Sequence, residues 1–525
     1  MDIIIGILAF VFVLGLIIVI HEGGHFLFAR RANILCREFA FGMGPFLFKK
    51  KKGETLYSIR AFPIGGFCAI AGEEVENDPL KDLKKVKLGI VNGIIKKIYF
   101  DDDGKTFPNI PEFNLVEYDI FDAKETGNLY MIVSDGENTI NYKVDPQALF
   151  VTKKEEIQIA PYNRTLGSKS KRARALVMFG GPMMNFILAL VVFFLAGLIG
   201  GFTNYNSSVL KDTSIEGLQE GDKIIHLTSG TLDIEVKTWN DISEFMNLYQ
   251  SDFPSNKIIV EYNRDGVNNF TEVKPLVVIH TIGLVSDQSS DKVVIGNIDP
   301  KSKAAIAGLS QDQEIIKVND INVTSWKTVY DEFYNNELGK NVTFQVMDKD
   351  TTKNITVQPY SKEVMDTQKT LGGEQIPMAD VILGVSPTLK TDLGKSIVYS
   401  GKQTLNSTTL IFDTIGLLAT SDEVGVNNLS GFVGIFDMTS QVAKLGFVQI
   451  LNWTGMLSVN VGLLNLLPIP ALDGGRLVFL GYEAITKKKP NQKVETALIT
   501  VTMILLFGLM IYVTYNDILR LVGIR

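Results

Sequence analysis

Residues 3–20 read IIIGILAFVFVLGLIIVI, an apolar run without a charge, and it ends on His21-Glu22-Gly23-Gly24-His25. At a helical rise of roughly 1.5 Å per residue the run nearly crosses a hydrocarbon core of about 30 Å. It has no basic start and no small-residue cleavage site before HEGGH, so it reads as a retained span and not as a cleaved leader. Further spans are expected at 175–200, 443–467 and 496–515. The hydrophobic share of 46% over 525 residues, more than a large soluble protein needs, agrees with that class.

Four spans put both termini on one side. The basic flanks FARRA, FKKKKG and SKSKRARA border the loop after the first span, and KKKPNQK lies between the last two. Positive loops stay in the cytoplasm, so 201–440 and both termini are expected outside. A net charge of −7, with no basic run interleaved with aromatics, gives no reason to expect nucleic acid as a partner.

The outer stretch repeats itself. GLQEGDKIIHL from Gly217 resembles GLSQDQEIIKV from Gly308, and TWND from Thr238 resembles SWKT from Ser325. A period of roughly ninety residues suits two copies of one small α+β module, which resembles a tandem PDZ pair whose grooves would accept peptide. Two folding modules without a ligand are the plainer alternative. Residues 75–155 are acidic and strand-rich, a cytoplasmic insertion without a legible function.

The expected fold is a polytopic α-helical membrane protein with a four-span core. Residues 1–30 hold the first span, 31–74 a membrane-associated β element, 75–155 the insertion and 156–200 the second span. The two PDZ-like modules occupy 201–280 and 281–360, followed by a linker and amphipathic helix over 361–442. The third span and the loop after it fill 443–495, and the fourth span and tail 496–525.

The chain has four histidines, and two of them sit in HEGGH. Positions i and i+4 share a helix face, so His21 and His25 can converge on one Zn²⁺ while Glu22 activates water there. HExxH also arises by chance, but ionisable groups at the end of an apolar span are costly and functional by default. A catalytic zinc takes three protein ligands, and His226 and His280 belong to the outer modules. The candidate third ligand is Asp473, which closes Asn465-Leu-Leu-Pro468-Ile-Pro470-Ala-Leu-Asp473-Gly-Gly. By itself an Asp before glycine is a common turn residue; the need for a third ligand at similar depth favours the metal. Prolines and glycines at such depth free backbone groups that need a polar cavity, where Pro468, Pro470 and Asn465 would meet an unwound substrate. Asn185, in GPMMN at 181–185, is a second substrate-binding candidate, and bonding between helices is the plainer role for either Asn. Cys36 and Cys68 form neither a disulfide framework nor a CxxC pair.

Taken together, HEGGHF at 21–26, FGMGP at 41–45, RAFPIGGF at 60–67, GPMMN, the PDZ-like stretch and NLLPIPALDGGR at 465–476 resemble the bacterial site-2 protease family. That resemblance spans nearly the whole chain in the family's order. It implies an intramembrane zinc metalloendopeptidase of the cell membrane, with Zn²⁺ on His21, His25 and Asp473 near the cytoplasmic side and Glu22 as base. It implies substrate contacts at Asn465 and Asn185, and a re-entrant β element around Gly65 and Gly66 that receives the substrate strand. The substrates implied are single-span membrane proteins already trimmed outside, such as anti-sigma factors or remnant signal peptides, with the PDZ pair screening them. Three features depart from the family: Gly23 where an apolar residue is usual, Gly431-Phe432 where Gly-Pro is common, and the 75–155 insertion. A catalytically silent PDZ scaffold and a metal transporter are the competing classes; the intact Glu22 argues against the first, and four spans with large outer modules against the second.

Overall fold

The computed structural model describes residues 2–73, 78–100, 107–122, 125–153, 156–253, 257–300, 302–334, 339–349, 351–368, 375–420, 425 and 429–521. Its chain divides into two compact units, Met1–Val192 with Leu429–Arg525, and Phe193–Asn428.

The first unit opens with α1 (Asp2–Arg31), apolar on every side until His21 and closed by Arg30 and Arg31, where cations suit the helix dipole. Two long strands follow, β1 (Cys36–Lys52) and β2 (Thr55–Ile70). β1 bends at Gly42 and Gly44, whose φ values of 84° and 87° suit only glycine comfortably. The bend turns two strands into four paired segments: 46–52 lies on 55–60, 56–59 also lies on 38–41, and 36–41 lies on 66–70. One edge of this small sheet is therefore 46–52 and the other 66–70.

The insertion forms a closed barrel. β3 (Lys85–Val91), β4 (Ile94–Tyr99), β5 (Glu112–Asp119), β6 (Tyr130–Ser134) and β7 (Thr139–Val151) pair in the order β4-β3-β5-β6-β7, and β7 returns to β4 in parallel; β8 (Glu156–Gln158) lies antiparallel beside the end of β7. Closure removes free edges, and Leu88, Ile95, Ile98, Met131 and Ala148 fill the interior. Arg37 Nε donates to the Gln158 carbonyl at 2.9 Å, and Arg164 pairs with Glu54 at 2.7 Å, which ties the barrel's exit to the base of the small sheet. α2 (Lys171–Gly200), with Pro182 inside it, leads into the second unit.

In the second unit the two repeats fold alike. Strands 232–235, 223–229, 258–264 and 267–273 make one sheet, flanked by α3 (Trp239–Asp252) behind a Thr238–Asp241 capping box. Strands 321–322, 314–318, 342–348 and 351–357 make the other, with α4 (Lys303–Ala307) and α5 (Trp326–Tyr334). Trp239 and Trp326 each open a helix, as the sequence repeat implies. The linker expected at the start of 361–442 is corrected: it holds α6 (Lys362–Thr367) and three strands. Strand 379–382 pairs with 276–279, 385–387 with 210–213 and 389–390 with 202–203. Strand 276–279, expected in the first module, thus joins the sheet of 284–286, 295–298 and 379–382. The strands of 379–390 are two to four residues long, too short for a period-two pattern to register. α7 (Leu393–Thr420) takes up the expected amphipathic helix.

The chain re-enters the first unit through α8 (Phe432–Lys444), α9 (Phe447–Leu466), α10 (Asp473–Thr486) and α11 (Gln492–Leu521). Among the described residues four helices, Ile3–Arg31, Lys171–Gly200, Phe447–Leu466 and Gln492–Arg520, are long and apolar enough to cross a membrane. The third starts later than the expected 443 because Gly446, at φ 108°, separates it from α8. α8 instead packs on α1, with the Phe10 ring 4.9 Å from Phe432 and 5.4 Å from Phe436. Its N-terminus is capped from afar: the amides of Gly431 and Gly434 each donate to Asp517 Oδ2 at 2.8 Å. Asp517→Ala strands both donors and is expected to cost about 2 kcal/mol; a thermal unfolding midpoint in detergent equal to that of the parent would contradict this account of the cap.

Candidate metal centre and its cavity

The α1 turn at His21–His25 places both imidazoles on one face, and the first residue of α10 meets them. His21 Nε2 and His25 Nε2 are 3.3 Å apart, and Asp473 Oδ2 lies 3.3 Å from the first and 3.4 Å from the second. The outer nitrogens fix the tautomers. His25 Nδ1 donates to the Val177 carbonyl at 2.8 Å, so in the neutral ring Nε2 carries the lone pair. Asn185 Nδ2 lies 3.2 Å from His21 Nδ1, and Asn185 Oδ1 is buried without a partner among the described residues; turning the amide over lets that oxygen accept the Nδ1 proton and leaves the lone pair on His21 Nε2. Two nitrogen lone pairs and a carboxylate then face one point. Asp473 Oδ2 is buried and accepts no hydrogen bond among the described residues. Three mutually repelling donors within 4.8 Å of one another fit a shared cation, and two imidazoles with a carboxylate suit zinc.

Glycines make the convergence possible. A Cβ on Gly24 would enter the Gly180 carbonyl, and one on Gly180 would sit 2.9 Å from the Gly24 oxygen, so α1 and α2 cross backbone to backbone. A Cβ on Gly181 would lie 2.8 Å from His21 Nε2 and closer still to His25 Nε2, in the space between the two imidazoles. Pro182 removes an amide donor from the same turn. On the other side, Leu467 is extended before Pro468, and Gly474 and Gly475 pack under the carbonyls of Leu466, Leu467 and Ile469. The Pro-rich loop thereby folds over the first turn of α10 and aims Asp473 at the histidines.

A cavity of about 760 Å³ opens beside this centre. His21, Glu22, His25 and Asp473 form one wall and Gly66–Ile70 of β2 another, with Asn465, Arg37, Arg476 and Met503 around them. A Cβ on Gly66 would lie 3.4 Å from Glu22 Cγ, so the β2 segment packs against the Glu22 side chain. Arg476 is ion-paired with Glu73.

The sequence candidates separate into two groups. His21, Glu22, His25, Asp473, Asn465 and Gly66 all border the cavity. Asn185 is fully buried and turned to His21, and it is absent from this cavity's lining; Ser458 Oγ donates to its backbone carbonyl at 2.9 Å. Pro468, Pro470 and Gly65 are absent from the cavity lining: the prolines shape the loop, and Gly65, at φ 77°, turns β2. Sequence reasoning missed the Val177 carbonyl and the Arg476–Glu73 pair. Only the paired glycines 180–181 and 474–475 were visible as a hint of close approach.

A profile of peptidase family M50 matches residues 9–509. The chain belongs to peptidase family M50. It is 32% identical over 520 residues to the zinc metalloprotease RasP of Oceanobacillus iheyensis, covering 98% of this chain and 99% of that one. RasP of Geobacillus kaustophilus is 31% identical over 515 residues, at 98% and 97% coverage. A putative zinc metalloprotease of Staphylococcus aureus is 30% identical over 527 residues, at 99% of both chains. This M50 member, of the site-2 protease type, is a zinc metalloprotease with Zn²⁺ as its expected cofactor, and its apolar helices make it a multi-pass membrane protein.

A methyl group placed on Gly23 would meet nothing within 4 Å, unlike one on Gly24. Gly23→Ala is therefore expected to retain zinc and gain up to about 1 kcal/mol, whereas Gly181→Ala loses the metal. Asn185→Ala should weaken zinc affinity by about 10–100-fold. Metal analysis of the purified proteins checks all three, and zinc retained by Gly181→Ala would sink the packing argument.

Proposed function

We propose that this M50 protease hydrolyses peptide bonds in or near the transmembrane segments of single-span membrane proteins, with His21, His25 and Asp473 as zinc ligands and Glu22 as catalytic base. The observation that carries it is Glu22 beside three converging ligands on the wall of a cavity that a strand edge also lines.

When bound, Zn²⁺ supplies the Lewis acidity that amide hydrolysis needs. Glu22 takes the proton of the attacking water and delivers it to the leaving nitrogen, its side chain packed against Gly66 of β2. The 66–70 segment pairs with 36–41 on one side only among the described residues, so its other edge suits an extended, unwound stretch of substrate. Asn465, whose amide donates to the Val461 carbonyl at 3.0 Å, stands at the cavity to meet substrate backbone.

The basic loops favour a zinc site near the cytoplasmic face, with both termini and residues 201–440 outside in the bacterial cell membrane. The repeats of the second unit act there as PDZ-like modules that screen substrates already trimmed, consistent with a role in regulated intramembrane proteolysis of anti-sigma factors or remnant signal peptides.

The test is cleavage of a single-span substrate by protein purified in detergent. Glu22→Gln is expected to keep its zinc and lose at least about 100-fold in rate, the scale of a missing general base. If both proteins carry zinc and neither cuts a trimmed substrate, a silent scaffold becomes the better reading.

A further inference from the structure

The edge 46–52 runs through a gradient of depth. The Phe41 ring lies 3.3 Å from where a Cβ on Gly15 would stand, midway along α1, and the Phe39 ring is 5.4 Å from Phe26, nearer its end. At the other end of the sheet, Thr55 Oγ1 donates to the Cys36 carbonyl at 2.8 Å, just past the Arg30–Arg31 terminus of α1. The Gly42–Gly44 bend therefore sits level with the middle of a membrane-crossing helix, and the Gly53-Glu54 turn sits level with its charged end.

Side chains on the edge follow that gradient. Met43, Phe46, Leu47 and Phe48 are 51%, 44%, 71% and 56% exposed, and the four residues that follow them toward the turn are Lys49, Lys50, Lys51 and Lys52, all exposed. Lys49 Nζ lies 5.0 Å from the centre of the Phe46 ring. Among the described residues no strand takes the outer side of 46–52. Unpaired amides are costly beside hydrocarbon, and four consecutive ammonium groups repel one another where the strand reaches the charged end of α1. An anionic headgroup drawn down to the strand offsets both, since its phosphate oxygens accept from lysine Nζ and from backbone N–H. A further peptide strand would satisfy the backbone alone, and lysines on an edge work against such pairing.

We propose that the 46–52 edge is a binding site for anionic phospholipid headgroups, placed on the side of the sheet opposite the cavity-lining segment 66–70. Lipid held there fixes the depth of the sheet and, through it, of the strand beside the metal centre. This inference rests on the membrane placement of α1 and is independent of the catalytic roles above.

The experiment uses the full chain carrying Leu47→Trp, reconstituted in vesicles that contain brominated phosphatidylglycerol or, at the same fraction, brominated phosphatidylcholine. The parent protein, measured in parallel, subtracts the native tryptophans. A lysine near an anionic surface is worth about five-fold in association, so quenching by brominated phosphatidylglycerol should exceed that by brominated phosphatidylcholine at least about three-fold and shrink with salt. Replacing Lys49–Lys52 by Gln should abolish the preference, and replacing them by Arg should keep it. Equal quenching by the two lipids overturns the proposal. Absence of quenching by either also overturns it, because the edge is then covered by protein.

Discussion

Three groups that should repel one another, two imidazole lone pairs and a carboxylate, meet at 3.3–3.4 Å in a largely buried place. Everything nearby serves to hold them there. The outer nitrogen of His25 is spent on Val177, and that of His21 faces the Asn185 amide, which, turned oxygen-first, leaves both inner nitrogens as lone pairs. Asp473 Oδ2 is left without a hydrogen bond among the described residues, a state that burial penalises unless a cation is shared. The polypeptide has thus stored an electrostatic conflict that a divalent ion resolves, and the affinity for that ion is the measure of how well the conflict is maintained.

Maintaining it is a packing problem. Within a bilayer, helices gain little from burying apolar side chains and associate through close backbone contact. Gly24 against Gly180, and Gly6 against Ser440, bring α2 and α8 onto α1 in this way. The ligand on α10 comes from the far end of the chain and is aimed by a loop of two prolines closed over two glycines. Polar groups inside the bundle are matched to one another, as where Trp453 donates to Thr439 and Asp517 caps α8. Rigidity of this kind lets Glu22 sit close to the ligands and still face an open cavity.

Much of the site was legible because its chemistry is local. HEGGH on an apolar span offers two candidate ligands and a candidate base at helical spacing, and Asp473 is the candidate that a third ligand calls for; the structure brings the three ligand atoms within 4.8 Å of one another. The repeat in the second unit was legible through Trp239 and Trp326, which open equivalent helices. What escaped depends on direction and on contacts far apart in sequence. Asn185 belongs to a motif that suggests substrate, yet the face of α2 it occupies turns it to His21. The two strands after α1 become four segments only because Gly42 and Gly44 reverse the chain, and the strands of 379–390 are too short to announce themselves before their partners are known.

The central claim is that zinc is held by two imidazoles and one carboxylate at this point. X-ray absorption at the zinc edge of the purified protein tests it most directly. The account predicts nitrogen and oxygen neighbours at about 2.0–2.2 Å and no sulfur, with the spectrum altered in Asp473→Asn. A sulfur neighbour at about 2.3 Å would move the metal to Cys36 or Cys68, and a spectrum unchanged by Asp473→Asn would remove the carboxylate; either result contradicts the assignment.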